Sequence, residues 1–105
     1  KRVLHELSER DSTLRRLMRK DRLAVIGSGN DAPLIDLAKV SDECNRVAAE
    51  SDFIILEGMG RAVETNYETQ FCCDVLKIAL VKDEMVARRL GGKNFDVVCR
   101  FEPAD

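Results

Sequence analysis

The 105-residue chain is 45% hydrophobic and 34% charged, with a formal net charge of -2, the balance of an ordinary globular unit of at most one domain. That charge excludes a broad basic field for nucleic acid or anionic lipid. Apolar runs such as Phe53-Ile54-Ile55-Leu56 fall far short of the roughly 20 residues of a membrane span, and no signal-peptide pattern opens the chain, so the sequence reads as cytoplasmic.

From Lys1 to about Lys20, Val3, Leu4, Leu7, Leu14, Leu17 and Met18 recur at helical spacings among many charges. The pattern predicts one amphipathic helix, or two short ones broken near Asp11-Ser12. The helix begins at Lys1 with no capping residue before it, which reads as a cut end. Leu23-Ala-Val-Ile26, bounded by Gly27-Ser-Gly-Asn-Asp31, reads as a buried strand ending in a flexible turn. Ser41, with Glu43 and an apolar pattern through Val47, predicts a capped helix to about Glu50.

Phe53-Ile-Ile-Leu56 is the strongest strand signal and runs into Glu57-Gly-Met-Gly-Arg61. A helix through Asn66 to Phe71, a strand over Val75 to Val81, a helix capped by Asp83 and stopped by Gly91-Gly92, and a last strand over Phe95 to Phe101 come next. Strands alternating with helices predict an α/β layered, Rossmann-like fold with a largely parallel sheet. The four cysteines lack C-x-x-C spacing and accompanying histidines, and read as reduced thiols acting as small core residues; His5, the single histidine, reads as a surface group on a charged helix.

In open α/β sheets ligands bind beyond the carboxyl ends of the strands. Two turns qualify, Gly27 to Asp31 and Glu57 to Arg61. The Gly27 turn has no lysine-serine/threonine pair after its glycines, as a nucleotide-binding P-loop requires. The glycines of Glu57-Gly58-Met59-Gly60-Arg61 allow close approach of an anion, and equally serve a plain strand-to-helix turn. Arg61 can clamp a phosphate with its planar fork, and Glu57 can act as acid, base or outer-shell metal partner. Lys77 lies inside the apolar run, on one face with Val75 and Ala79. It is either a buried cation with an anionic partner or a snorkelling lysine on an edge strand. Lys82, at the strand end, reads as solvent-exposed.

As an ordered string these residues say more. Ile35-Asp-Leu, Asp52-Phe-Ile-Ile-Leu-Glu-Gly-Met-Gly-Arg-Ala-Val-Glu-Thr-Asn66, Cys73-Asp-Val-Leu-Lys-Ile-Ala-Leu-Val-Lys82, Leu90-Gly-Gly and Phe95-Asp-Val-Val closely resemble the C-terminal end of the damage-control phosphatase domain fused to pantothenate kinase in animals and plants. The resemblance covers about residues 23 to 102. It implies that residues 1-105 are the C-terminal segment of a metal-dependent phosphatase domain. Such an enzyme hydrolyses a small-molecule phosphate ester, 4'-phosphopantetheine or its damaged forms, and so limits coenzyme A synthesis. It also implies that Lys77 is the phosphate-contacting lysine and that Glu57 shares the catalytic work, with Gly58, Met59, Gly60, Arg61 and Asn66 lining the substrate pocket.

The resemblance further implies a divalent metal held by an Asp-Asn pair and a later Asp, all upstream of the matched region. No substitute stands among the carboxylates of residues 1 to 22, so no metal ligand is expected in this chain. It is expected to pack on the missing N-terminal part of its own domain and to be inactive alone, as a fragment or a decayed copy. Two further readings stand beside this one. One is a non-catalytic α/β interaction module pairing an exposed sheet edge with a partner. The other is a segment named for its parent pantothenate kinase, the ATP-dependent half lying further upstream.

Overall fold

The computed structural model describes all residues, 1 to 105. Its first two helices, α1 (Arg2–Arg10) and α2 (Ser12–Arg19), are separated by Asp11 alone. Asp11 is extended, and its carboxylate accepts from the Leu14 N–H at 2.9 Å, so one residue stops the first helix and caps the second. Arg15 ties the pair together by donating from Nε to the Ser8 carbonyl at 2.9 Å and from its other arm to the Glu9 carbonyl. His5 is exposed beside Glu9, as the charged helix predicts.

Residues 23 to 26 do not form the expected strand. They carry no regular structure and pair with no other segment, and Leu23 and Val25 stay exposed. An apolar run supplies the tendency to extend; a partner's N–H and C=O groups make it a strand. The adjoining Gly27 turn is a latch. Ser41 donates its backbone N–H to the Ser28 carbonyl at 2.7 Å and its hydroxyl to the Gly27 carbonyl at 3.0 Å. The same hydroxyl caps α3 (Asp42–Ala49) by accepting from Cys44 N–H at 3.1 Å.

The sheet has three strands in the order β1-β2-β3: β1 (Phe53–Glu57), β2 (Asp74–Leu80) and β3 (Val97–Glu102). β1 and β2 are parallel, whereas β3 is antiparallel to β2, so the α/β architecture holds with a mixed sheet. Between β1 and β2 the chain forms a π-helical turn, Met59–Glu64, and then irregular turns. The helix expected through Asn66 to Phe71 is absent, because the Asn66 side chain there bonds to the chain's own carbonyls in place of a helical ladder. After β2, Asp83 caps α4 (Glu84–Arg89) through Val86 N–H at 3.0 Å. Gly91, at φ +75°, ends it with paired bonds, Gly91 N–H to the Arg88 carbonyl and Gly92 N–H to the Ala87 carbonyl.

The two sheet faces differ sharply. Val75, Lys77 and Ala79 point toward the π-helical turn and α4, where Ala62, Val63, Ala79, Val81, Val86 and Ala87 form the core. The opposite face presents Phe53, Ile55, Leu80, Val97 and Phe101, each between 43% and 72% exposed. Only ten residues are buried, so a single covered face supports the fold. No helix is long and apolar enough to cross a membrane.

Candidate active site

Parallel strands β1 and β2 end side by side, and a cleft of about 280 Å³ opens at their carboxyl ends, lined by Glu57, Gly58, Met59, Ile78, Ala79, Leu80 and Lys82. Its position is the one that α/β topology favours for a ligand. Gly58 forms the sharp corner. At φ +109° and ψ 146° its backbone occupies a region that side chains with a Cβ rarely enter, and its N–H donates to the Ile78 carbonyl at 2.9 Å, tying the loop to β2. Arg61 reaches back one turn and donates from Nη1 to the Glu57 carbonyl at 3.1 Å, leaving its other N–H groups for an anion. Met59 Sδ accepts from the Lys82 backbone N–H at 3.4 Å and so fixes the end of β2 against the loop.

Gly60 stands apart from the cleft and serves packing: a Cβ there would lie 2.7 Å from Leu34 Cδ2. Asn66 is buried among the chain's own polar groups. Its Nδ2 donates to the carbonyls of Ile35 at 3.2 Å and Arg61 at 2.9 Å and to Thr65 Oγ1 at 3.0 Å, which staples the π-helical turn to the 33–37 segment. Thus Glu57, Gly58 and Met59 gather at one cleft with Arg61 beside it, while Gly60 and Asn66 support that loop from behind.

The structure does not bring Lys77 to this cleft. Lys77 pairs with Leu56 across the β1–β2 ladder and Glu57 pairs with Ile78, so Lys77 and Glu57 project from opposite faces of the sheet. Lys77 is fully buried, and its ammonium donates to the carbonyls of Tyr67 at 2.7 Å and Thr69 at 2.8 Å and to Glu102 Oε2 at 3.0 Å. Three N–H groups meet three acceptors, and none remains. β2 is the central strand, which removes the edge-strand reading; the anionic partner that a buried lysine requires is Glu102. Glu102 in turn meets Arg100 Nε at 2.7 Å, and Arg100 lies 4.4 Å over the Tyr67 ring and 3.3 Å from Glu68. Glu68 chiefly, with Tyr67 and Glu102, raises the Arg100 pKa further above its ordinary value against partial desolvation, so the guanidinium stays charged.

Sequence reasoning missed two groups. Glu102 and Arg100 carry no motif, and only strand register reveals them as partners of Lys77. Lys82, read from the sequence as an exposed strand-end residue, lies two residues beyond β2 and is among the residues lining the cleft.

A family model for the damage-control phosphatase ARMT1-like domain matches residues 1–98. The chain belongs to this family. Among relatives of this damage-control phosphatase segment, "Damage-control phosphatase At2g17340" of Arabidopsis thaliana is 49% identical over 80 residues, covering 76% of this chain and 22% of its own length. Pantothenate kinase 2 of the same plant is 44% identical over 97 residues, which are 91% of this chain and 10% of that protein. The 4'-phosphopantetheine phosphatase of Mus musculus is 46% identical over 52 residues, 50% of this chain and 6% of that protein. The chain therefore spans at most about a fifth of the length of these relatives.

Damage-control phosphatases of this type are generally metal-dependent. The residues present do not by themselves fit a metal, since no group of three or more His, Cys, Asp or Glu side chains comes close enough to hold one. Glu57 is the one carboxylate that lines the cleft. The cysteines are free but not the core residues their type suggests, since Cys72 and Cys99 are exposed and Cys44 and Cys73 half-buried.

Proposed function

We propose that this chain supplies the glycine-loop side of a metal-dependent phosphomonoesterase site, acting on 4'-phosphopantetheine or its damaged forms within coenzyme A metabolism. The observation that carries the reading is the Glu57–Arg61 loop, held at the carboxyl end of parallel β1 and opening on a cleft, in a chain of the damage-control phosphatase family. The names of the mouse and Arabidopsis relatives support the substrate class and the reaction.

In this reading the bend at Gly58, free of a Cβ, lets the phosphoryl group approach the loop backbone. Arg61, steadied by the Glu57 carbonyl, offers its remaining N–H groups to phosphoryl oxygens. The Glu57 carboxylate lines the same cleft and accepts a proton from, or orients, the attacking water. Gly60 and Asn66 hold the loop in shape. The metal's ligands come from another segment of the polypeptide, on which residues 1-105 pack as the C-terminal part of the domain. Support for that packing is the bare sheet face with Phe53, Ile55, Val97 and Phe101 exposed. Four free thiols support a cytoplasmic setting.

The test is phosphate release from 4'-phosphopantetheine by the full-length polypeptide with and without divalent metal. Metal-dependent release that falls on Arg61→Ala is expected; no release under any metal would overturn the reading. The same bare face favours a second account, a non-catalytic interaction module, and a monodisperse chain that captures a partner through this face yet never releases phosphate would establish it.

A further inference from the structure

Three of the four cysteines, Cys44, Cys72 and Cys73, line one cavity of about 320 Å³ beside Ile54, at the amino ends of β1 and β2. The glycine-loop cleft lies at the other end of these strands. One wall of the cavity is α3, with Cys44, Ala48 and Ala49, and another is the segment entering β2, with Phe71, Cys72 and Cys73. Cys44 and Cys73 are half-buried, and Cys72 is exposed. Both walls are fixed: the Cys44 N–H is held by the Ser41 cap, and Asp74, next to Cys73, is already paired with Phe53.

The lining decides what can enter. Nine of its thirteen residues are hydrophobic and none carries a charge, whereas the glycine-loop cleft and the cavities beside Arg100, beside Arg89 and on α1 all have charged side chains in their walls. An ionised ligand would lose hydration here and meet no opposite charge. A metal is excluded as well, since no three ligating side chains come close enough to share one. The hydroxyls in the wall are already used, Ser51 donating to the Val47 carbonyl at 2.7 Å and Thr69 to Asn66 Oδ1 at 3.4 Å. The thiols are then the nucleophiles left, and the occupant they suit is neutral, apolar and electrophilic. At roughly the 30 Å³ that a water-sized group occupies in a liquid, 320 Å³ holds about ten heavy atoms, as many as trans-2-nonenal contains.

We infer that this cavity is a covalent capture site for neutral apolar electrophiles of the α,β-unsaturated aldehyde class, with Cys44 and Cys73 as its nucleophiles and Cys72 at its mouth. The thiolate sulfur adds to the β-carbon of the aldehyde. A new S–C bond replaces the C=C π bond, and the thiol's proton ends on the α-carbon, so the step needs no oxidant and expels no leaving group. Nothing in this chemistry depends on phosphate release.

The test treats the full-length polypeptide briefly with trans-2-nonenal or with its short homologue 2-butenal, folded and in urea. Adducts are fixed with borohydride, and rates are read cysteine by cysteine by peptide mass spectrometry. Each buried methylene contributes about fourfold, so nonenal should outpace butenal at least about tenfold at Cys44 and Cys73 in the folded protein. In urea the two should react within about twofold of each other. Ala48→Leu keeps every thiol but fills the cavity from α3, and should bring the folded preference down to the value in urea. A folded preference no greater than that in urea overturns the inference, as does an absence of adduct at Cys44 and Cys73 or a preference that a folded Ala48→Leu leaves intact. The folded-versus-urea comparison uses the wild-type sequence alone, so it decides the matter even where Ala48→Leu fails to fold. Phosphate release is not the readout, so either result leaves the proposed function where it stands.

Discussion

Replacing Lys77 by methionine removes the ammonium while keeping most of the buried stem. Three acceptors lose their donor: the carbonyls of Tyr67 and Thr69 and the carboxylate of Glu102, whose side chain is only 22% exposed. Breaking one partner of a buried ion pair costs roughly 3–5 kcal/mol. Arg100 remains 2.7 Å from the other Glu102 oxygen, which moves the expectation to the low end, about 3 kcal/mol. Against the roughly 5–15 kcal/mol stability of small domains that is a large share, and it corresponds to a fall in Tm of at least about 12 °C. Urea unfolding monitored by far-ultraviolet circular dichroism, with the fluorescence of the single tyrosine, Tyr67, as a local probe, measures it. The double variant Lys77→Met with Glu102→Leu should recover about 1–2 kcal/mol, because it no longer buries an unpaired carboxylate. A Lys77→Met chain within about 0.5 kcal/mol of wild type would refute the clamp.

The same geometry sets three further outcomes. Gly58→Ala should cost about 1–3 kcal/mol through backbone strain at φ +109°, whereas Gly60→Ala should cost less because the half-exposed Leu34 can swing aside; urea midpoints compare them. Ser41→Ala should cost about 1 kcal/mol by uncapping α3 and, unlike an ordinary cap loss, should also speed amide exchange in residues 27 to 30, read by hydrogen exchange. The raised Arg100 pKa means that its contribution is fully present below the ordinary arginine range and is lost only as pH rises through the still higher folded value; stability measured from about pH 6 to about pH 9 should show no step that Arg100→Lys removes.

Much of the fold was legible in local chemistry. Asp11, Ser41 and Asp83 mark helix starts by side-chain oxygens that satisfy orphan N–H groups, and Gly91 marks a stop through its positive φ. These signals depend on residues within four positions of each other. The 23–26 strand failed for the opposite reason: strand formation is settled by a partner that sequence pattern does not name. The site divides the same way. Glycines and charges identified the 57–61 loop, but whether a lysine joins it depends on the parity of its position along β2. Lys77 is odd with respect to Ile78, the residue opposite Glu57, and Lys82 is even. A motif match carries no parity, so it does not say which face of the sheet a lysine takes.

The antiparallel course of β3 determines what lies beside the end of β2. Because β3 enters where β2 leaves, Leu80 pairs with Val97, and Val81 exchanges backbone bonds with Phe95 and Asp96 just beyond the strand. The turn from Gly91 to Asp96 is therefore brought beside the end of β2 that carries Lys82. That turn is exposed apart from Asp96 and holds none of the core residues. Sequence drift in this exposed turn can therefore alter the surface next to the end of β2 while the core and the 57–61 loop stay unchanged.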